Sequence, residues 1–161
     1  MLTGWYIFAG IVMRKTMLTR EQLSDCLHEN GYKATPQRLA VYECLARTNE
    51  HPTAEALYAR LHPEYPAMSF STVYKTMDIL HRLNLVKVLN TGEESARYDA
   101  DISCHQHIQC TDCGRVEDLR LDLAAIRKEA GSLSHYEVQA QELYIYGLCP
   151  ACRKKESLNE L

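Results

Sequence analysis

The chain lacks the basic excess of a simple polybasic nucleic-acid binder. Its 18 Lys+Arg are outnumbered by 21 Asp+Glu, for a net charge of -3. It also lacks an apolar run that would span a bilayer, which takes about 20 residues; the run from Leu2 to Met13 is too short. The charge order of a signal peptide is missing too, because Arg14 and Lys15 follow that run instead of preceding it. There is no internal repeat and no low-complexity tract. Together these absences argue against a secreted disulfide scaffold and a membrane protein, and the charge and apolar content exclude a wholly disordered chain. The expectation is a cytoplasmic protein with reduced thiols and no membrane association. Residues 1–17 are expected to be an extension, disordered or upstream of a true start at Met13 or Met17. An apolar arm packed on the body and a membrane anchor are the alternatives.

What is present is a length of 161 residues with 46% hydrophobic content, enough for one or two small domains with cores. Charge is uneven. Residues 1–91 hold 10 Lys+Arg against 8 Asp+Glu, whereas residues 92–161 hold 8 against 13. The first part suits a phosphate surface, and the second is rich in carboxylates.

Helix punctuation is clear up to about Leu83. Thr19-Arg-Glu-Gln22 is a capping box ahead of a stripe of Leu23, Cys26 and Leu27, with Gly31 as the stop. Thr35-Pro36 opens a second helix to about Arg47, and Thr53 caps a third. Ser69 begins a fourth, with Phe70, Val73, Met77, Leu80 and Leu83 as its apolar face. Cys26 and Cys44 read as small core residues. A hairpin follows, Leu85–Asn90 and Ser95–Ala100 around Gly92. Helices and then a two-stranded hairpin describe a winged helix-turn-helix. The remainder reads as a small α/β unit. Strands are expected at His105–Cys110, Arg115–Leu121, Tyr136–Ala140 and Glu142–Leu148, and a helix at Asp122–Ala130 stopped by Gly131. The predicted class is α+β: a winged-helix DNA-binding domain over 18–98 and a metal-binding dimerisation domain over 99–161.

Three constellations carry chemistry. Ser71, Thr72, Tyr74 and Lys75 put hydroxyls, an aromatic ring and a cation at the N-terminal end of the fourth helix, where a recognition helix meets the major groove. Periodicity alone describes an ordinary amphipathic helix; the hairpin after it favours DNA. Lys33, Arg38 and Lys87 are additional candidates for phosphate contacts. Cys110-x-x-Cys113-Gly and Cys149-x-x-Cys152 are two knuckles that give the tetrahedral sulfur shell Zn²⁺ prefers, against the alternatives of redox dithiols or disulfides. Finally, His105-x-His107 in a strand aims two imidazoles the same way, close in sequence to Asp99, Asp101, Asp112, Glu117 and Asp118.

Thr35-Pro-Gln-Arg38, His51-Pro-Thr-Ala54, Ser71-Thr-Val-Tyr74, Arg97-Tyr-Asp99, the H-x-H and both knuckles follow one another in an order and spacing that resemble the ferric uptake regulator family of bacterial metal-dependent repressors. The resemblance runs from about Thr19 to Lys155. It implies a regulatory site of His51, Asp99, His105, His107 and Asp118 that holds Fe²⁺ or Mn²⁺, with structural Zn²⁺ at the cysteines. It implies a homodimer bound to double-stranded DNA at an inverted-repeat operator. Aspartate at both 99 and 118 resembles the peroxide-sensing branch, in which iron-catalysed oxidation of ligand histidines, here His51 and His105, releases DNA. This is signalling chemistry without turnover, so an enzyme is not expected. Cys104, Gln106 and Gln141 stand where some iron sensors carry a further metal site, so that site is expected to be absent, with Cys104 a bystander. An iron- or manganese-responsive repressor without peroxide sensing is the nearest alternative. A thiol oxidoreductase and a zinc-ribbon interaction module are the others.

Overall fold

The computed structural model describes residues 17–92, 95–139 and 141–159. The expected extension, apart from Met17, lies outside them.

Four helices come first: α1 (Arg20–Glu29), α2 (Pro36–Ala46), α3 (Ala54–Leu61) and α4 (Phe70–Arg82). Each begins where a hydroxyl accepts an otherwise unpaired N–H. Thr19, Thr35, Thr53 and Ser69 cap the N–H groups of Gln22, Arg38, Ala56 and Thr72. The Gln22 side chain reciprocates to Thr19 N–H at 2.9 Å, completing the capping box. Gly31 takes φ +78°, a backbone state that suits glycine, just past the α1 end. Leu23, Leu27, Val41, Leu45, Leu57, Val73, Met77 and Leu80 make one shared core, closed over by Val86 and Tyr98 of the hairpin. That hairpin is β1 (Lys87–Leu89) antiparallel to β2 (Arg97–Asp99), with Val88 opposite Tyr98. An isolated bridge from Thr53 to Arg97 ties it to the start of α3.

Two readings, one of α4 and one of α1 and α2, need correcting. Phe70 is 39% exposed. It sits at the first turn, where the helix projects past the core, and meets Tyr58 and Tyr74 edge-on. Thr76 and Ile79 fill the buried face instead, and Thr76 hides its hydroxyl by donating to the Thr72 carbonyl at 2.7 Å. Cys26 and Cys44 are only half-buried, at the margin of the core rather than inside it.

The second part has a three-stranded sheet in the order β4-β3-β5, built from β3 (Gln106–Cys110), β4 (Val116–Leu119) and β5 (Tyr144–Gly147). β3 runs antiparallel to β4 and parallel to β5. Between β4 and β5 lies α5 (Ala124–Ser134), and α6 (Pro150–Asn159) ends the described chain. Gly131 does not stop α5. The helix continues to a left-handed cap at His135, and a Cβ at Gly131 would stand 3.2 Å from the Tyr136 carbonyl oxygen of the returning chain. The expected strand at 136–140 does not form among its described residues; β5 takes the place beside β3, and Tyr136 is 78% exposed. The helix α6 was not anticipated. Pro150 at its start and the Arg153 N–H bonded to the Cys149 carbonyl at 3.0 Å make the second knuckle double as a helix entry.

Candidate functional site

The α2–α3 loop brings His51 across to the second sheet. Its φ of +48° is a left-handed state that costs a non-glycine residue of the order of 1–2 kcal/mol. The conformation is held from both sides. The His51 carbonyl accepts from Arg97 and the Pro52 carbonyl from Tyr98 N–H at 3.1 Å, while Nδ1 donates to the Val116 carbonyl at 3.3 Å. With Nδ1 carrying the proton, Nε2 presents its lone pair to the space between the two sheets. His105, just ahead of β3, is set the same way: Nδ1 donates to the Ser103 carbonyl at 3.0 Å, turning Nε2 toward the same space.

Five groups converge there. His51 Nε2 is 2.7 Å from Asp118 Oδ1, His105 Nε2 is 3.0 Å from Asp99 Oδ2, and the Nε2 atoms of His105 and His107 are 3.0 Å apart. All five donor atoms lie within 4.8 Å of one another. Opposite ligands on one ion stand about 4.2–4.4 Å apart for bonds near 2.1 Å, so little movement closes the shell. Asp99 Oδ2 and Asp118 Oδ1 are buried, yet neither receives a well-aligned hydrogen bond. Their lone pairs point at a common centre, which is what a cation site requires. Two carboxylates and three neutral imidazoles balance one divalent ion, and a mixed nitrogen–oxygen shell suits Fe²⁺ or Mn²⁺.

Electrostatics without the ion agree. The carboxylates of Asp118 and Asp99 beside it raise the pKa of His105 to about 9. The imidazoles of His105 and His51 close beside it hold Asp118 far below the usual carboxylate range. Burial pushes Asp99 up, but His105, His107 and the Asp101 N–H outweigh it and hold it far below. Of the other acids near the H-x-H, Glu117 pairs with Arg115 at 2.9 Å and Asp101 with Arg120 at 3.1 Å.

The four cysteines form a second cluster, their sulfurs also within 4.8 Å of one another. Gly114 at φ +69° turns the first knuckle, and its N–H returns to the Cys110 carbonyl at 3.0 Å. The Cys149 N–H donates to Cys110 Sγ at 3.3 Å, while Cys113 and Cys149 sulfurs are 3.9 Å apart. Backbone N–H groups of Cys113 and Cys149 lower the Cys110 thiol to about 6, so it is ready to ligate as thiolate.

On α4, Ser71, Tyr74 and Lys75 are exposed and Thr72 half-buried. The Tyr74 hydroxyl donates to Glu55 Oε1 at 2.9 Å, a partner that spacing gave no sign of. Arg38 donates to the Lys33 carbonyl at 2.7 Å. The Lys87 ammonium is hydrogen-bonded to the Ser103 carbonyl.

The family model described as the Ferric uptake regulator family matches residues 29–146. The chain belongs to that family. The Transcriptional regulator PerR of Clostridium acetobutylicum is 42% identical over 134 residues, covering 83% of this chain and 97% of that protein. The Peroxide operon regulator of Bacillus subtilis is 37% identical over 134 residues, 83% of this chain and 92% of that protein. The solved Campylobacter jejuni peroxide stress regulator superposes with a TM-score of 0.65 at 34% identity, covering 81% of this chain and 98% of that one. Among the described residues, no helix is long and apolar enough to cross a membrane.

Proposed function

We propose that the chain is a metal-dependent, DNA-binding transcriptional repressor that senses peroxide through oxidation of its own ligand histidines. The observation that carries this is the convergence of His51, Asp99, His105, His107 and Asp118 on one buried point. His51 comes from the α2–α3 loop and Asp99 from the end of the hairpin, whereas His107 and Asp118 belong to the second sheet and His105 directly precedes it. An ion there joins residues 18–98, the DNA-binding domain, to residues 99–161, the dimerisation domain. It therefore favours the arrangement in which they meet. Fe²⁺ supplies the reductant that peroxide needs, whereas Mn²⁺ supplies the bridge without that reactivity. Oxidised at the ring, His51 or His105 no longer presents an Nε2 lone pair, so the bridge fails.

The chain is a homodimer and not an enzyme: a ligand consumed in signalling does not turn over. A second copy covers the exposed Ile126, Leu133, Tyr136 and Tyr146. Two α4 helices then face the half-sites of an inverted repeat, spaced by multiples of roughly 34 Å. The protein works in the cytoplasm, where Cys110, Cys113, Cys149 and Cys152 stay reduced and hold Zn²⁺. The names of the relatives favour peroxide sensing over an iron or manganese response alone.

Operator binding with increasing metal tests this. Both Mn²⁺ and Fe²⁺ are expected to promote binding, and peroxide to release the Fe²⁺ form while sparing the Mn²⁺ form. Equal resistance of both forms would leave an iron- or manganese-responsive repressor.

The recognition surface has its own test. Tyr74→Ala is expected to weaken operator binding with metal affinity unchanged. Lys75→Ala is expected to weaken it with less sequence selectivity and to reduce the salt slope by about 1. Unaltered affinity in both would move the DNA surface away from Ser71, Thr72, Tyr74 and Lys75.

A further inference from the structure

Asp101 lies in the segment that joins β2 to β3, and it is a carboxylate only 4% exposed. It is not one of the five converging groups, yet it touches the supports of several. Its Oδ2 accepts from the Arg120 guanidinium at 3.1 Å, and its Oδ1 accepts from Ser103 N–H at 2.9 Å. Its own N–H donates to Asp99 Oδ1 at 2.7 Å, which orients that carboxylate and leaves Oδ2 turned to the cluster. The Ser103 so fixed offers the carbonyl that holds His105 Nδ1 at 3.0 Å. Arg120 stands two residues beyond Asp118, just past the end of β4. One ion pair therefore ties the joining segment to the strand that supplies Asp118. The residue so anchored orients Asp99 through its own N–H, and His105 through Ser103.

Charge gives the pair a second purpose. Asp101 is a second buried carboxylate beside Asp99, with the half-buried Asp118 close by. Left unpaired it would be costly, and it would repel the two that face the ion.

We infer that Arg120 and Asp101 are positioning residues: a clamp that presets the regulatory metal site and holds the joining segment against the second sheet before any ion binds. This rests on the reading of the five-residue cluster as a metal site. Groups that orient ligands from behind typically contribute 10–100-fold in metal affinity.

The test uses the full-length, zinc-replete dimer with Mn²⁺ and, for spectroscopy, Co²⁺. Arg120→Ala is expected to weaken Mn²⁺ binding by about 10–100-fold and to shift the visible bands of bound Co²⁺. Arg120→Lys, which keeps a donor and the charge, is expected to restore most of the affinity. Arg120→Ala combined with Asp101→Asn is expected to lose less than the two single effects together, because they share one contact. His107→Ala, which removes a ligand, is the reference. If Arg120→Ala keeps wild-type affinity and Co²⁺ bands while His107→Ala loses binding, the clamp is wrong and the metal site stands. If His107→Ala also binds as wild type does, the metal site is wrong and the clamp falls with it. Equal losses in Arg120→Ala and Arg120→Lys, in step with a lowered melting temperature, would reduce the pair to a structural role and overturn the inference as well.

Discussion

Cys113→Ser is expected to strip zinc from the protein and to dissociate or unfold the dimer. The reason lies in how little else holds the second part together. Helix α5 has no buried residue in the single chain, and among the described residues the buried apolar side chains past β2 come to little more than Val116 and Leu123. The four sulfurs instead join the end of β3 and the following turn to the start of α6. A structural zinc site supplies roughly 10–16 kcal/mol of apparent binding free energy, which becomes folding free energy. A serine hydroxyl does not replace a thiolate in that shell. Zinc content, sedimentation and thermal melting read the outcome together. The α1–α4 core is separate, so part of the helical signal is expected to survive. A zinc-free dimer with unchanged melting would remove the metal from these cysteines.

The second large effect is expected at Asp118→Glu. The charge is conserved, so the site still balances a divalent ion, and metal-dependent DNA binding is expected to persist. Reach is not conserved. Asp118 Oδ1 sits 2.7 Å from His51 Nε2 and 3.4 Å from His105 Nε2. A further methylene forces that oxygen to a new place, changing the opening through which peroxide must approach. Histidine oxidation is therefore expected to fall sharply at matched iron occupancy, because geometry rather than charge controls the reaction. Equal oxidation in both proteins would separate peroxide sensing from the aspartate at 118.

Much of this was legible locally. The four hydroxyl caps sit where the sequence puts them, since capping depends on residues three apart. Both knuckles were legible because two thiolates three residues apart can share an ion whatever surrounds them. His105 and His107 converge, although β3 begins at Gln106 and not at His105. Other features depend on contacts distant in sequence. Tyr136–Ala140 alternates like a strand, but its described residues join no sheet, and β3 pairs with β4 and β5 instead. Gly131 stands where the returning chain at Tyr136 leaves little room for a Cβ, a contact that no local pattern signals. The place of His51 beside Asp118, 67 positions away, came from family resemblance and not from spacing. The Asp101–Arg120 pair had no signal beyond another acid near the H-x-H.

The central claim is that the histidines at this buried point are the sensing residues. Mass spectrometry of peptides from Fe²⁺-loaded wild-type protein exposed to peroxide, with Mn²⁺-loaded protein as the control, tests it most directly. The account predicts one added oxygen on the peptides carrying His51 or His105, in the iron form alone and in proportion to lost operator binding. Iron-loaded protein that releases DNA with both histidines unmodified, or that acquires no oxygen at all, would contradict it.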